Sequence, residues 1–77
     1  MGILRILDQT GDTTLEWRID DPASLAAVRD EFDRLVLAEK WHAFARAAGA
    51  RADDATLVRG FDADAEEIVL TRPLMGG

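Results

Sequence analysis

The first twenty residues contain two short runs in which apolar and polar positions alternate. Residues 3–8 are rich in branched apolar side chains and predict a strand. Residues 15–20 place an apolar side chain at every second position, which is the period of a half-buried strand. Gly11-Asp12 lies between them and supplies turn-forming residues. The pattern therefore predicts a β-hairpin whose loop is longer than two residues.

From residue 22 the apolar spacing changes to three and four, which is typical of one buried helix face. Asp21 is a natural N-cap, and Pro22 suits the first helical position, where a missing N–H costs nothing. A helix over about 22–38 is therefore predicted. Its apolar face consists of Leu25, Val28, Phe32, Leu35 and Val36. Its opposite face carries charged side chains that we expect to be solvated, namely Arg29, Asp30, Asp33 and Arg34.

Residues 40–48 allow two interpretations. Their alanine content and apolar spacing permit an extension of the helix to Ala48, with Gly49 as its stop. Alternatively, the helix breaks near Glu39 and Lys40, and a short strand follows whose apolar positions begin at Trp41. We favour the break, because a helix over 22–48 would be much longer than the average.

The last third of the chain predicts two more strands. Residues 56–61 form the first, residues 62–67 form an acidic turn or a one-turn helix, and residues 68–72 form a final strand that Pro73 stops. The final strand is almost wholly apolar, so we expect it beside the first strand and parallel to it. These elements predict an α+β domain, a mixed sheet packed on one helix, over residues 1–72, with 73–77 as an extended tail.

Composition limits the classes of function. A chain of 77 residues holds one domain at most, and its net charge of −6 argues against binding nucleic acid. It has no cysteine and no long apolar run, so we expect a cytoplasmic protein without a membrane segment. Abundant arginine and alanine favour a bacterial source. His42 is the only histidine, and the acidic pairs Asp53-Asp54 and Glu66-Glu67 fall in predicted turns, so we expect neither an enzyme nor a cofactor.

The element order, together with the final stretch "EEIVLTRPLMGG", resembles the β-grasp ubiquitin-like superfamily. It is similar to bacterial ubiquitin-like modifiers and to small sulfur carriers, namely the small subunit of molybdopterin synthase and the thiamine-pathway carrier. The resemblance implies that a partner enzyme of the ubiquitin-activating type uses ATP to adenylate the terminal carboxylate. A sulfur nucleophile then captures the acyl group, for protein conjugation or for sulfur transfer. The chain differs from ubiquitin in having no second arginine just before its glycines and only one lysine.

The same resemblance implies roles for the tail. Gly77 would carry the reacting carboxylate, and Gly76 would give clearance in the partner's channel. Leu74 and Met75 would fill a shallow apolar groove, while Pro73 keeps the tail extended. Arg72 would pair with an acidic group of the activating enzyme. The alternatives are a solvated arginine at the end of the strand, and a Leu74-Met75 segment that folds back into the core.

Further candidates lie on the sheet and at the end of the helix. If Leu4, Ile6, Ile68 and Leu70 face the helix, the side chains that point outward for partner recognition are Arg5, Val69 and Thr71. Lys40 and the Met1 amine are the only primary amines, so chains of a modifier would have to grow through them. Other implied partners are conjugating enzymes, enzymes of the deubiquitinating type, or a sulfur-acceptor enzyme. The competing hypothesis is a non-covalent interaction module, such as an adaptor or a phage or host regulatory protein, whose terminal glycines have no function.

Overall fold

The computed structural model describes residues 1–8, 11–51 and 54–73. Two strands precede a helix, and three strands follow it. The strands are β1 (Gly2–Asp8), β2 (Gly11–Trp17), β3 (His42–Ala47), β4 (Thr56–Val58) and β5 (Ala65–Thr71). The helix α1 (Pro22–Asp33) continues directly into a π-helical segment, Arg34–Ala38.

The five strands form one mixed sheet in the order β2-β1-β5-β3-β4. The central strands β1 and β5 are parallel, and every other neighbouring pair is antiparallel. The hairpin and the central, parallel position of the last strand are thus confirmed. Because β2 and β3 both run opposite to the central pair, they share a direction, and α1 connects them as a crossover. The architecture is α+β, with one helix packed on one face of the sheet.

The start of α1 agrees with its prediction. Asp21 is the N-cap, and its carboxylate oxygen Oδ1 accepts hydrogen bonds from the backbone N–H groups of Ala23 (3.2 Å) and Ser24 (3.4 Å). Pro22 occupies the first turn, as expected for a residue that cannot donate a backbone hydrogen bond.

The end of the helix also agrees with the favoured interpretation. Lys40 has a positive φ of 64°, and the N–H of Trp41 donates to the carbonyl oxygen of Leu35 at 2.9 Å. The left-handed residue turns the chain away from the helix axis, so the alternative extension to Ala48 is wrong. The strand β3 follows, and every second residue from Trp41 is buried: Trp41 just before the strand, and Ala43 and Ala45 within it.

Several predicted boundaries are wrong. Gly11 and Asp12 are not a turn but the first residues of β2, and Asp8 pairs with Gly11, so residues 9–10 alone join the two strands. The β-branched Thr13-Thr14 pair favours this earlier start. β2 ends at Trp17, which leaves Ile19 outside the strand and 60% exposed.

The predicted bounds of the last two strands are wrong as well. β4 ends at Val58 rather than at residue 61, and β5 begins at Ala65 rather than at residue 68. Glu66 and Glu67 therefore lie in a strand and not in a turn. Arginine side chains on neighbouring strands compensate their charge, an arrangement that the local sequence does not reveal.

The core fills the space between α1, the π-helical segment and one face of the sheet. No polar or charged side chain is buried among the described residues. Leu25 is partly buried and packs against the core. Of the helix residues predicted to be solvated, Arg29, Asp30 and Arg34 are exposed and Asp33 is half-buried. No helix in the described ranges is long and apolar enough to cross a membrane. The buried residues are Leu4, Ile6, Trp17, Val28, Phe32, Leu35, Val36, Trp41, Ala43, Ala45, Ala65, Ile68 and Leu70.

Candidate interaction surface

The face of the sheet that points away from α1 carries a row of aligned side chains. Val69 on β5 pairs in register with Arg5 on one side and with Phe44 on the other, and Phe44 pairs with Leu57 on β4. The row therefore crosses four of the five strands. Since side chains in register partners lie side by side, these four form one continuous strip.

Apolar side chains dominate the β5–β3–β4 part of this strip. Phe44 is 36% exposed and Leu57 is 55% exposed, while Val69 is half-buried between its neighbours. Leu7 lies two residues beyond Arg5 on the same face of β1 and pairs with Thr71. We call Leu7, Phe44, Leu57 and Val69 the outer patch. Grouped exposed apolar residues mark an interaction site more often than single ones do.

Charged side chains border the outer patch on one side. The carboxylate of Glu67 lies between two arginines, 3.2 Å from Nη2 of Arg5 and 3.5 Å from Nη2 of Arg46. Arg46 also donates from Nη1 to Glu66 at 2.6 Å and to the carbonyl oxygen of Ala50 at 3.1 Å. The hydrogen bond to Glu66, with the charges of both glutamates, raises the pKa of Arg46 above its ordinary value despite some desolvation. The two glutamates therefore favour the charged form of Arg46.

The outward residues predicted from the sequence lie on one face. Arg5 is exposed, while Val69 and Thr71 are half-buried on the side opposite to Ile68 and Leu70, which are buried. The guanidinium of Arg5 is already paired with Glu67, so its charge is partly compensated. Their role in recognition stays a prediction.

The same prediction missed the most exposed apolar members of the strip, Phe44 and Leu57. The alternation around β3 did contain the signal, because Phe44 falls between the buried Ala43 and Ala45 and must point the other way. What the sequence could not show is that Leu57 and Val69 come to lie on either side of Phe44.

The base of the tail lies beside the end of β1. β5 ends at Thr71, Arg72 is exposed, and Nη1 of Arg72 lies 3.7 Å from Oδ1 of Asp8. Pro73 is half-buried and follows the strand. The predicted roles of Leu74, Met75, Gly76 and Gly77 concern residues outside the described ranges.

The remaining candidates do not all lie together. Lys40 and His42 are exposed near the start of β3, Asp54 is exposed, and Asp53 lies outside the described residues. Within the described ranges, no three His, Asp or Glu side chains are grouped so that they could hold a metal ion. Both tryptophans belong to the core, Trp17 being completely buried and Trp41 keeping 8% exposure.

No protein-family model matches this chain, and no curated protein or solved structure is significantly similar to it.

Proposed function

We propose that this chain is a ubiquitin-like protein of the β-grasp fold whose terminal Gly76-Gly77 carboxylate is adenylated by a partner enzyme. The activated end then serves protein conjugation or sulfur transfer. The mixed five-stranded sheet supports the β-grasp interpretation, because its first and last strands are central and parallel and its single helix crosses one face. Adenylation of the terminal carboxylate is supported by the sequence after β5, which ends in Gly76-Gly77.

The observation that carries this proposal is where β5 ends. This strand is the middle one of the five and pairs with β1 on one side and with β3 on the other. It stops at Thr71, and Pro73 has no N–H with which to continue the ladder. The segment that begins at residue 74 is thus attached to a rigid base. A fixed base reduces the conformational entropy that the tail loses when a partner's channel binds it.

The chemistry is carried by the partner. An oxygen of the Gly77 carboxylate attacks the α-phosphorus of ATP, and pyrophosphate leaves. A thiol or persulfide of a partner protein then attacks the acyl carbon, and AMP leaves. In the modifier branch a lysine amine displaces the thiol to form an isopeptide bond. In the carrier branch a second thiol cleaves the acyl disulfide, leaving a thiocarboxylate on Gly77 and a disulfide on the partner.

In this proposal the outer patch docks the domain. Phe44 and Leu57 supply exposed apolar area, and Arg72 supplies a cation at the base of the tail. A partner's acidic group would compete with Asp8 for Arg72. An exposed ion pair contributes only about 0–1 kcal/mol, so this exchange costs little.

The test is mass spectrometry of an N-terminally tagged chain recovered from its native host. Trypsin does not cleave the Arg72–Pro73 bond, so it would leave a long remnant on an acceptor. Cyanogen bromide cleaves after Met75 and would leave only Gly-Gly on the acceptor lysine. In the carrier branch the intact mass would instead rise by the difference between sulfur and oxygen.

The matched control is a chain that lacks Gly76 and Gly77. It should keep the fold, as judged by circular dichroism, and lose both signals. Recovery of neither signal from the intact chain would contradict the proposal, as would a shortened chain that still reacts with an adenylating enzyme. In the modifier branch, an untagged Lys40→Arg chain should form at most linear polymers through the Met1 amine.

A second candidate function is non-covalent binding through the outer patch alone, which the exposure of Phe44 and Leu57 favours. The two functions differ in their response to the tail. A partner that the shortened chain still binds, and that a Phe44→Ser variant no longer binds, would identify an adaptor rather than an acyl carrier.

A further inference from the structure

A cleft lies at one end of the sheet, between the end of the helix and the last residue of β4. It has a volume of about 270 Å³. Its apolar wall is formed by Val36, Trp41 and Leu57, and its polar groups are Lys40, His42 and Arg59. The volume is slightly below the range of about 300–1,000 Å³ that is usual for small-molecule sites, so the cleft fits one or two side chains.

The charge of this cleft is opposite to that of the molecule. The chain carries a net charge of −6, yet among the described residues the cleft is lined by two cations and by no acidic side chain. Five of the other arginines form ion pairs with aspartate or glutamate, and Arg29 lies over the ring of Phe61. Lys40 and Arg59 have no ion-pair partner among the residues that the structure describes. Both charges are therefore available to a ligand.

The backbone at Lys40 adds a second argument. Its φ of 64° is a left-handed conformation, in which glycine or asparagine is usual and a lysine is strained. A glycine would end the helix without this strain but would remove the ammonium group from the rim. Backbone strain that keeps a charged side chain at a concave surface points to a use for that side chain.

We propose that this cleft binds an acidic segment of a partner protein, a carboxylate flanked by an apolar residue. The carboxylate pairs with Lys40 and Arg59, and the apolar side chain packs against Trp41 and Leu57. Charge complementarity selects this occupant, because an apolar wall does not fit a bare inorganic anion and two cations do not fit a purely apolar segment. The inference does not depend on the activity of the terminal glycines.

The position of the cleft makes it useful to a partner that also contacts the tail. His42 pairs with Thr71, the last residue of β5, so the cleft flanks the strand from which the tail begins. A protein that engages residues 72–77 could place an acidic segment in the cleft at the same time. Two contacts made by one partner increase affinity through effective concentration.

The experiment is a nuclear magnetic resonance titration of the full-length chain with a short peptide. The probe is the acetylated and amidated tripeptide Leu-Glu-Leu, and its control is Leu-Gln-Leu. The indole N–H signal of Trp41 and the ring signals of His42, the only histidine, report on the cleft. Trp17 is an internal reference, because it is completely buried and donates from Nε1 to the carbonyl oxygen of Ala63 at 3.1 Å.

We expect the glutamate peptide to shift the Trp41 and His42 signals and to leave that of Trp17 unchanged, with the glutamine peptide having little effect. Arg59→Gln should weaken binding about fivefold, the ratio expected for one solvent-accessible ion pair of about 1 kcal/mol. The matched control is Arg51→Gln, because Arg51 is exposed, lies outside the cleft and also has no ion-pair partner among the described residues. It should bind as the parent does.

Several results would overturn the inference. One is equal binding of the two peptides, and another is binding that Arg59→Gln leaves unchanged. A third is a response to inorganic phosphate as strong as that to the glutamate peptide, which would indicate a simple anion site. Shifts at Phe44 and Val69 in place of Trp41 would assign the peptide to the outer patch. Shifts that appear when the protein alone is concentrated would identify a second copy as the occupant.

Discussion

Gly2 lies directly against the indole ring of Trp17, its register partner in the antiparallel β1–β2 pair. A Cβ atom at Gly2 would overlap the six-membered ring of the indole. Trp17 is completely buried and packs edge-on against Phe61, with ring centroids 4.9 Å apart. It also donates a hydrogen bond from Nε1 to the carbonyl oxygen of Ala63. Movement of the indole would disrupt these contacts. The glycine is therefore required by the space that the tryptophan occupies.

We predict that Gly2→Ala lowers the free energy of unfolding by about 1–3 kcal/mol, the usual cost of overpacking a core. Urea denaturation followed by circular dichroism would measure it. The control is Gly60→Ala, since a Cβ atom there meets no neighbour within 4 Å and this glycine has no positive φ. Its effect should stay within about 0.5 kcal/mol. Equal effects of the two substitutions would contradict the packing that places Trp17 over Gly2.

Adjacent residues of β5 should differ strongly in their effect on stability. Ile68 is completely buried against the helix, while Val69 is half-buried on the opposite face. We expect Ile68→Ala to cost about 2–5 kcal/mol, because it leaves a cavity in the core. Val69→Ala should cost about 1 kcal/mol, a value typical of single substitutions. Denaturant midpoints of the two variants would test this, and a reversed order would mean that the outer patch is covered in solution.

The spacing of apolar and polar residues is enough to predict those features that depend only on residues close together along the chain. The alternation of Leu4 and Ile6 with Arg5 placed the correct side of β1 in the core, and Asp21-Pro22 marked the start of the helix. The acidic run over 62–67 predicts a turn that includes Glu66-Glu67, whereas both glutamates lie in β5. The pairing that stabilises them comes from Arg46, twenty residues away along the chain.

The sequence predicts the candidate surfaces less completely, because they are formed by residues that are distant along the chain. The outer patch depends on strand register, which joins Phe44, Leu57 and Val69 from three separate strands. The cleft at the end of the sheet is lined by Lys40 and Arg59, which are distant along the chain. Neither relationship leaves a local pattern, so sequence reasoning identified single members such as Lys40 and Val69 without their neighbours.

The conformation of Lys40 gives a prediction that separates backbone from side chain. A left-handed residue other than glycine costs about 1–2 kcal/mol, and a glycine costs about 0.5–1 kcal/mol of additional entropy on folding. Lys40→Gly should therefore stabilise the domain by about 0.5–1 kcal/mol, whereas Lys40→Ala should not. Thermal unfolding of both variants would measure the difference. If Lys40→Gly is no more stable than Lys40→Ala, the backbone there is not strained.

Glu67 should contribute more to stability than an ordinary surface acid, because its carboxylate joins arginines of two different strands. The side chains of Glu67 and Arg46 are 19% and 20% exposed, while those of Arg18 and Asp20, which form a separate pair, are 66% and 75% exposed. Ion pairs that are partly shielded from water are screened less by salt. We expect Glu67→Gln to lower the urea midpoint clearly and Asp20→Asn to leave it almost unchanged. The effect of Glu67→Gln should shrink only partly when sodium chloride is raised to a molar concentration, and its complete loss there would show that the cluster is as solvated as the Arg18–Asp20 pair.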